Sequence, residues 1–317
     1  MPGKHGGSRM RILVMGAGAL GGYFGARLQA AGHEVVYVAR GAHLAALQKS
    51  GLQLHSPKGD LSLPEITAVE VPPANLAPNY VLFTVKNSDV EGAAAALLPA
   101  LGPQTAIVTV QNGISAPERL SAVVGAERVV PGVARIPGDI AAPGVIRHSA
   151  EIDRLSFGEA DGTRSARVEA LHQALTDAGC TPDIPDNITH DLWLKFISQS
   201  VMASMTALTR LDMGPLLANP ASRQLFHDAM AEVFAVGQAR VPDLPGNSLD
   251  VAWQWMQRLH PTMHASMLDD LTRGKPLEND YLSGDVVRLG RAAGVPTPIH
   301  TVFHAALAPY NGGAPQA

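Results

Sequence analysis

Gly16, Gly18 and Gly21 stand at G-x-G-x-x-G spacing in RILVMGAGALGGYFGARL, residues 11–28, directly after a short apolar run and at the head of a helical stretch. That spacing suits a dinucleotide pyrophosphate: Gly16 permits a tight turn out of a strand, Gly18 lets the backbone approach the phosphates, and Gly21 lets the helix pack closely on the strand. The phosphates would meet the backbone of Gly16, Ala17, Gly18, Ala19, Leu20 and Gly21 at the positive end of the helix. Ile12–Met15 reads as one strand and Glu34–Ala39 as a second after one helix length, which completes a βαβ unit of about 30 residues. The second strand ends in Arg40-Gly41, where an NAD site places a carboxylate for the ribose 2′-hydroxyl. A guanidinium is a fork-shaped donor suited to a 2′-phosphate, so NADP(H) is the expected cofactor; pairing of Arg40 with a surface acid is the plainer alternative.

Further polar residues follow apolar runs at places where ligands of open α/β sheets bind. Lys86 follows LFTV in FTVKNSD, and Asn112-Gly113 follow IVTVQ. Either can be a solvated loop, with Asn-Gly simply a turn. In the second half Lys195 lies in HDLWLKFISQSVMASMTAL, flanked by Trp193, Leu194, Phe196 and Ile197. It is either an i, i+4 partner of Asp191 or a general acid able to protonate an oxyanion as hydride arrives. Glu278, in KPLENDYLSGDVV, reads as a first-turn residue of a helix opened by Pro276, and Ser266, in HASMLDD, as a cap or a surface hydroxyl.

The elements that must position these residues fall into two parts. Strands and helices alternate early: a helix at 42–50, a hairpin over 52–63, a strand at 80–85, a helix at 90–98 and a strand at 106–110. This predicts an α/β fold, a Rossmann-type dinucleotide-binding domain with a parallel sheet covered on both faces. Pro and Gly punctuate residues 131–144; GVIRHS and RLSFGE then read as paired edge strands before a helix at 165–178. From Pro185 long helices take over, the first capped by Asp186 or Asn187, and Pro261 opens a later short one. The expected organisation is a flexible tail at 1–9, a dinucleotide-binding domain at 10–186 and a helical substrate or dimerisation domain at 187–317.

Composition limits the alternatives. The chain has 317 residues, a net charge of −4 and 16% charged residues. With no basic cluster, a nucleic-acid face is not expected. Cys180 is the single cysteine, which excludes an intrachain disulfide and a multi-Cys zinc site and fits a reducing compartment. The histidines lack metal-ligand spacing, so no metal is expected. No apolar run reaches the roughly 18 residues of a membrane span, and the first residues lack the apolar core of a signal peptide. A cytoplasmic protein with no membrane partner is expected, and the apolar helices of the second part leave a homodimer open.

Taken together these motifs resemble the ketopantoate reductases (2-dehydropantoate 2-reductases). The resemblance runs from Met10 to about Leu307. It is carried by GAGALGGYFGARL, Arg40, Lys86 in TVKNSD, Asn112-Gly113 in VQNG, Lys195 in LWLKF, Ser266 in ASMLDD, Glu278, Asp280 and Gly284 in LENDYLSG, and GVPTP. It implies an N-terminal Rossmann domain joined to a helical C-terminal domain, with the substrate in the cleft between them. The implied reaction carries hydride from NADPH to the ketone carbon of ketopantoate, a step towards pantothenate and coenzyme A. Lys195 would be the general acid and Glu278 its catalytic companion. Lys86 and Asn112 would lie at the nicotinamide end, helping to hold Lys195 and substrate, and Ser266 would contact the substrate carboxylate. The chain departs from the family pattern at Gln199 and Ala203, where the family shows Asn one and two turns past the lysine, at or near Met263 for another Asn just before the serine, and at Ser283-Gly284 for Asn-Gly. Gln199 still offers an amide to substrate, but Ala and Met cannot replace one. Reductase chemistry survives these changes better than ketopantoate does as substrate. The alternatives are a reductase of another 2-keto or 3-hydroxy acid, and a dinucleotide-sensing module without turnover.

Overall fold

The computed structural model describes residues 9–315; apart from Arg9, the tail expected at 1–9 lies outside the described residues. The chain packs as two units, one running to Gln111 and again over Ala116–Ile188, the other made of Asn112–Ser115 and Thr189–Ala317.

The first unit contains strands β1 (Arg11–Met15), β2 (Glu34–Val38), β3 (Leu52–His55), β4 (Leu61–Leu63), β5 (Thr67–Val69), β6 (Tyr80–Phe83), β7 (Ala106–Thr109), β8 (Val129–Arg135), β9 (Gly138–Ala142), β10 (Val145–His148), β11 (Arg154–Phe157) and β12 (Thr181–Asp183). Its helices are α1 (Ala19–Ala30), α2 (Gly41–Ser50), α3 (Val90–Leu97), α4 (Ala116–Val124) and α5 (Ala166–Asp177). An eight-stranded sheet has the order β12-β11-β8-β7-β6-β1-β2-β5, and only β11 against β8 breaks its parallel pairing. Side chains of β1 alternate between two cores: Ile12 and Val14 face α1, while Leu13 and Met15 join Val81, Phe83, Val90 and Leu97. Both faces are covered, as parallel sheets require. The chain leaves β1 for β2 on one side and returns for β6 on the other, which makes the carboxyl end of β1 a topological switch point.

GVIRHS and RLSFGE do not pair with each other, contrary to the sequence reading. β10 pairs parallel with β3 and antiparallel with β9 in a separate four-stranded sheet, while β11 belongs to the large sheet. The link between them is pinned. His148 Nε2 donates to the Ile152 carbonyl at 2.9 Å, and the Asp153 carboxylate accepts from Lys58 Nζ (2.8 Å), Tyr23 Oη (2.7 Å) and Thr181 Oγ1 (2.6 Å). Burial pushes the Asp153 carboxyl up, but these three donors together bring it below its ordinary value. Helix α1 packs against both sheets, and Gly22 makes this possible, since a Cβ there would lie 2.8 Å from Ile146 of β10.

The second unit is helical, with α6 (Ile188–Thr209), α7 (Met213–Ala218), α8 (Pro220–Arg240), α9 (Ser248–Gln257), α10 (Ser266–Thr272), α11 (Ser283–Ala293) and α12 (Pro298–Leu307). Trp193, Phe196, Ile197, Val201 and Met205 of α6 share one core with Phe226, Met230 and Val233 of α8, Val286 of α11 and Phe303 of α12. Asn219 caps α8 by accepting from Ala221 and Ser222 amides. Pro261 lies in a turn, and the short helix expected there starts only at Ser266.

A buried polar chain crosses this core. His300 Nε2 donates to the Ala229 carbonyl (3.2 Å), so its Nδ1 accepts from Ser283 Oγ (3.0 Å), which in turn accepts from Ser204 Oγ (2.7 Å). Burial lowers the His300 pKa from 6.5 to about 4. Between those values the unfolded chain binds a proton that the folded one refuses, so stability is full above about 6.5 and falls as pH drops towards 4. The loss from this group is about 3 kcal/mol. Urea unfolding of wild type and His300→Asn from pH 7 to 4.5 is expected to show a shallower slope for the variant; parallel curves would contradict the assignment.

Candidate active site

The glycine-rich turn leaves β1 with Gly16 at φ +101°, a conformation that side chains other than glycine rarely adopt. Its carbonyls are taken up, Thr84 Oγ1 donating to Gly16 O at 2.7 Å and His43 Nε2 to Ala17 O at 2.8 Å, while the Ala17 amide donates to Val38 O and the Gly18 amide to Gly16 O, both at 2.8 Å. His43 Nδ1 accepts from the Gly144 amide at 3.1 Å, which fixes the neutral tautomer, and burial lowers its pKa despite the bond to Ala17. With carbonyls turned away, Gly18 caps α1 without a side-chain acceptor on the first-turn amides. A Cβ on Gly18 would meet nothing within 4 Å, whereas one on Gly21 would run into the Gly16 carbonyl and the Thr84 hydroxyl and lie 2.7 Å from Val14. Open space at Gly18 and closure at Gly21 fit a pyrophosphate over the turn.

Arg40 stands at the N-cap of α2, largely exposed, with Nη1 3.7 Å from Asp89 Oδ2; the surface acid of the alternative reading is therefore present. Lys86 is exposed just before a 3-10 turn, Asn87–Asp89, that follows β6. Gln111 Nε2 donates to the Phe83 and Val85 carbonyls at 2.9 and 3.0 Å, clamping the segment that leads to Lys86.

In the second unit Lys195 Nζ, from α6, donates to Asn112 Oδ1 at 3.1 Å. Two residues predicted from separate parts of the chain are thus brought together. The next residue, Gly113, has φ +90°, and a Cβ there would come within 2.5 Å of the Tyr281 carbonyl. The Asn112-Gly113 turn therefore packs directly on the segment that carries Glu278. That segment is not the first turn of a helix, as Pro276 suggested: Glu278 precedes a 3-10 turn, Asn279–Tyr281, and α11 begins only at Ser283. Asn279 Nδ2 donates to the His304 carbonyl (3.0 Å) and Asn311 Oδ1 (3.1 Å), and Asp280 Oδ1 accepts from His304 Nε2 (2.8 Å) and Asn311 Nδ2 (2.7 Å). These bonds tether the Glu278 segment to α12 and the residues after it.

Gln199, one turn past Lys195, has its Oε1 buried without a hydrogen-bond partner among the described residues. Ala203, a further turn on, is 2% exposed and packed in the apolar core. Ser266 is exposed at the first position of α10. Cys180 is buried and its thiol pushed up to about 12, which removes it as a nucleophile. Thr84, Gln111 and His43 were not picked out from sequence. The first two stood in the same strand-end motifs as Lys86 and Asn112, whereas the bonds of His43 reach 26 and 101 residues along the chain and leave no local signal. Among the described residues no cluster of three or more His, Cys, Asp or Glu could hold a metal, and no helix is long and apolar enough to cross a membrane.

Residues 12–162 match the family model described as ketopantoate reductase PanE/ApbA, and residues 187–311 match ketopantoate reductase PanE/ApbA C terminal. The chain is 34% identical over 311 residues to a 2-dehydropantoate 2-reductase of Mesorhizobium japonicum, covering 91% of this chain and 94% of that protein. It is 29% identical to the uncharacterised oxidoreductase YkpB of Bacillus subtilis, over 95% of this chain and 99% of that protein. Among solved structures, the PanE/ApbA family ketopantoate reductase of Ralstonia eutropha aligns with a TM-score of 0.87 at 31% identity, covering 95% of this chain and 98% of that one.

Proposed function

Because the chain belongs to the ketopantoate reductase family, we propose that it catalyses the NADPH-dependent reduction of ketopantoate to pantoate. The observation that carries this reading is the Lys195 ammonium held on Asn112 at 3.1 Å. The first-turn amides of α1 and the clear space at Gly18 suit a pyrophosphate, and Arg40 offers a charged fork to a ribose 2′-phosphate. A bound NADPH supplies the hydride that is added to the ketone carbon. Lys195 holds the ketone oxygen and gives it a proton, so that ketone, hydride and proton become the alcohol. Asn112 orients the ammonium through its carbonyl oxygen and Glu278 is its catalytic companion, while Lys86 adds positive charge for cofactor and substrate. The Ser266 hydroxyl donates to the substrate carboxylate. Gln199, one turn past Lys195, offers its amide to the substrate.

A second reading, a different 2-keto acid as substrate, is favoured by one observation. Ala203, packed in the apolar core, offers no hydrogen-bonding group at the position where the resembled family pattern has an amide. Loss of NADPH absorbance with a panel of 2-keto acids tests both. Ketopantoate is expected to lead the panel with kcat/KM above about 10⁴ M⁻¹s⁻¹, inside the ordinary enzyme range. A bulkier or less polar keto acid ahead of it by tenfold or more would establish the second reading, and no turnover with any of them would exclude both.

A further inference from the structure

The turn after β6 brings a carboxylate to the guanidinium on which the cofactor assignment rests. Arg40 Nη1 lies 3.7 Å from Asp89 Oδ2, with the two side chains 65% and 45% exposed. Arg40 follows β2 and Asp89 follows β6, and these strands flank β1 on opposite sides. The pair therefore reaches across the carboxyl end of β1, where the glycine turn stands. Asp89 closes the 3-10 turn Asn87–Asp89 in a helical conformation, makes no side-chain bond to the first-turn amides of α3, and faces Arg40.

The geometry points to Asp89 as a specificity-determining residue: its carboxylate holds the place at Arg40 that a ribose 2′-phosphate takes, and so limits the preference for NADPH over NADH. The inference rests on the assignment of Arg40 to the 2′-phosphate. An exposed pair at this distance is loosely held, so the carboxylate yields its place at small cost. Carboxylate and phosphate are both acceptors only, compete for the same fork of donors, and repel each other when left side by side. A ribose 2′-hydroxyl is neutral and donates as well as accepts, so Asp89 does not oppose it. One residue thus works against the phosphorylated cofactor alone, and Arg40 works for it.

Binding alone tests this, by fluorescence titration of NADPH and NADH against wild type, Asp89→Asn, Arg40→Ala and the double variant. Asp89→Asn is expected to tighten NADPH about three- to fivefold, the upper scale of an exposed ion pair together with the carboxylate–phosphate repulsion it relieves, and to leave NADH within about 1.5-fold. In the Arg40→Ala background the same change is expected to move NADPH by less than about twofold, since the contested donor is gone. Asp89→Ser, which also removes the charge, is expected to follow Asp89→Asn. An unchanged NADPH to NADH ratio in both Asp89 variants, with Arg40→Ala still losing NADPH selectively, would overturn the role of Asp89 and leave Arg40 in place. Equal losses of both cofactors in Arg40→Ala would overturn the Arg40 assignment, and the inference with it.

Discussion

Lys195→Ala is expected to lower turnover by about two to four orders of magnitude, the usual contribution of general acid help, while NADPH affinity stays within about twofold. The expectation follows from position. The ammonium is held on the Asn112 carbonyl oxygen, on a helix whose neighbouring residues Trp193, Phe196 and Ile197 are locked in the core. Lys195→Arg is expected to recover little, because a guanidinium stays protonated and is a poor proton donor at neutral pH. Asn112→Ala serves as the companion variant: it keeps the ammonium but removes the acceptor that orients it, and an intermediate loss in kcat with little change in KM is expected. Wild-type turnover in Lys195→Ala would return the lysine to a surface role.

The second large effect separates two glycines three residues apart. Gly18→Ala adds a methyl group that meets no protein atom within 4 Å, so the fold is expected to lose no more than about 1 kcal/mol, the scale of a changed helix cap. That same methyl group stands where the pyrophosphate approaches, and dinucleotide affinity is expected to fall at least about a hundredfold. Gly21→Ala drives a methyl group into the Gly16 carbonyl and the Thr84 hydroxyl, so stability and binding should fall together. Thermal denaturation beside NADPH titration distinguishes the two. A Gly18 variant that binds normally would mean that the phosphates do not lie over this turn.

What could be read from sequence was whatever is encoded locally. The glycine turn, its flanking strands and Arg40 lie within one βαβ unit, and turn geometry, helix length and strand hydrophobicity all agree there. Lys195 and Asn112 were each visible as polar residues in apolar settings, but their bond joins positions 83 apart and only the fold reveals it. The pairing of β10 was misread because its partners are β3, far back in the chain, and β9, whose exposed GDIAA shows no alternation of apolar residues. Glu278 was read as helical because Pro276 mimics a first-turn proline. The structure holds the segment otherwise: the Ala314 amide donates to the Gly274 carbonyl at 3.1 Å, Lys275 N donates to Asp270 O at 2.8 Å, and Asn279 is tied to the residues after α12. Asp89 leaves no local signal in the sequence, because the residue it faces, Arg40, lies 49 positions earlier, after β2.

The central claim is that these residues reduce a ketone with NADPH, and the most direct measurement is of product. Purified protein is incubated with NADPH and ketopantoate, and pantoate is quantified by chromatography against NADPH consumed. One pantoate per NADPH is expected, with formation slowed by about two to four orders of magnitude in Lys195→Ala and, at NADPH concentrations that just saturate wild type, also strongly reduced in Gly18→Ala. NADPH binding with no pantoate formed from ketopantoate would contradict the account.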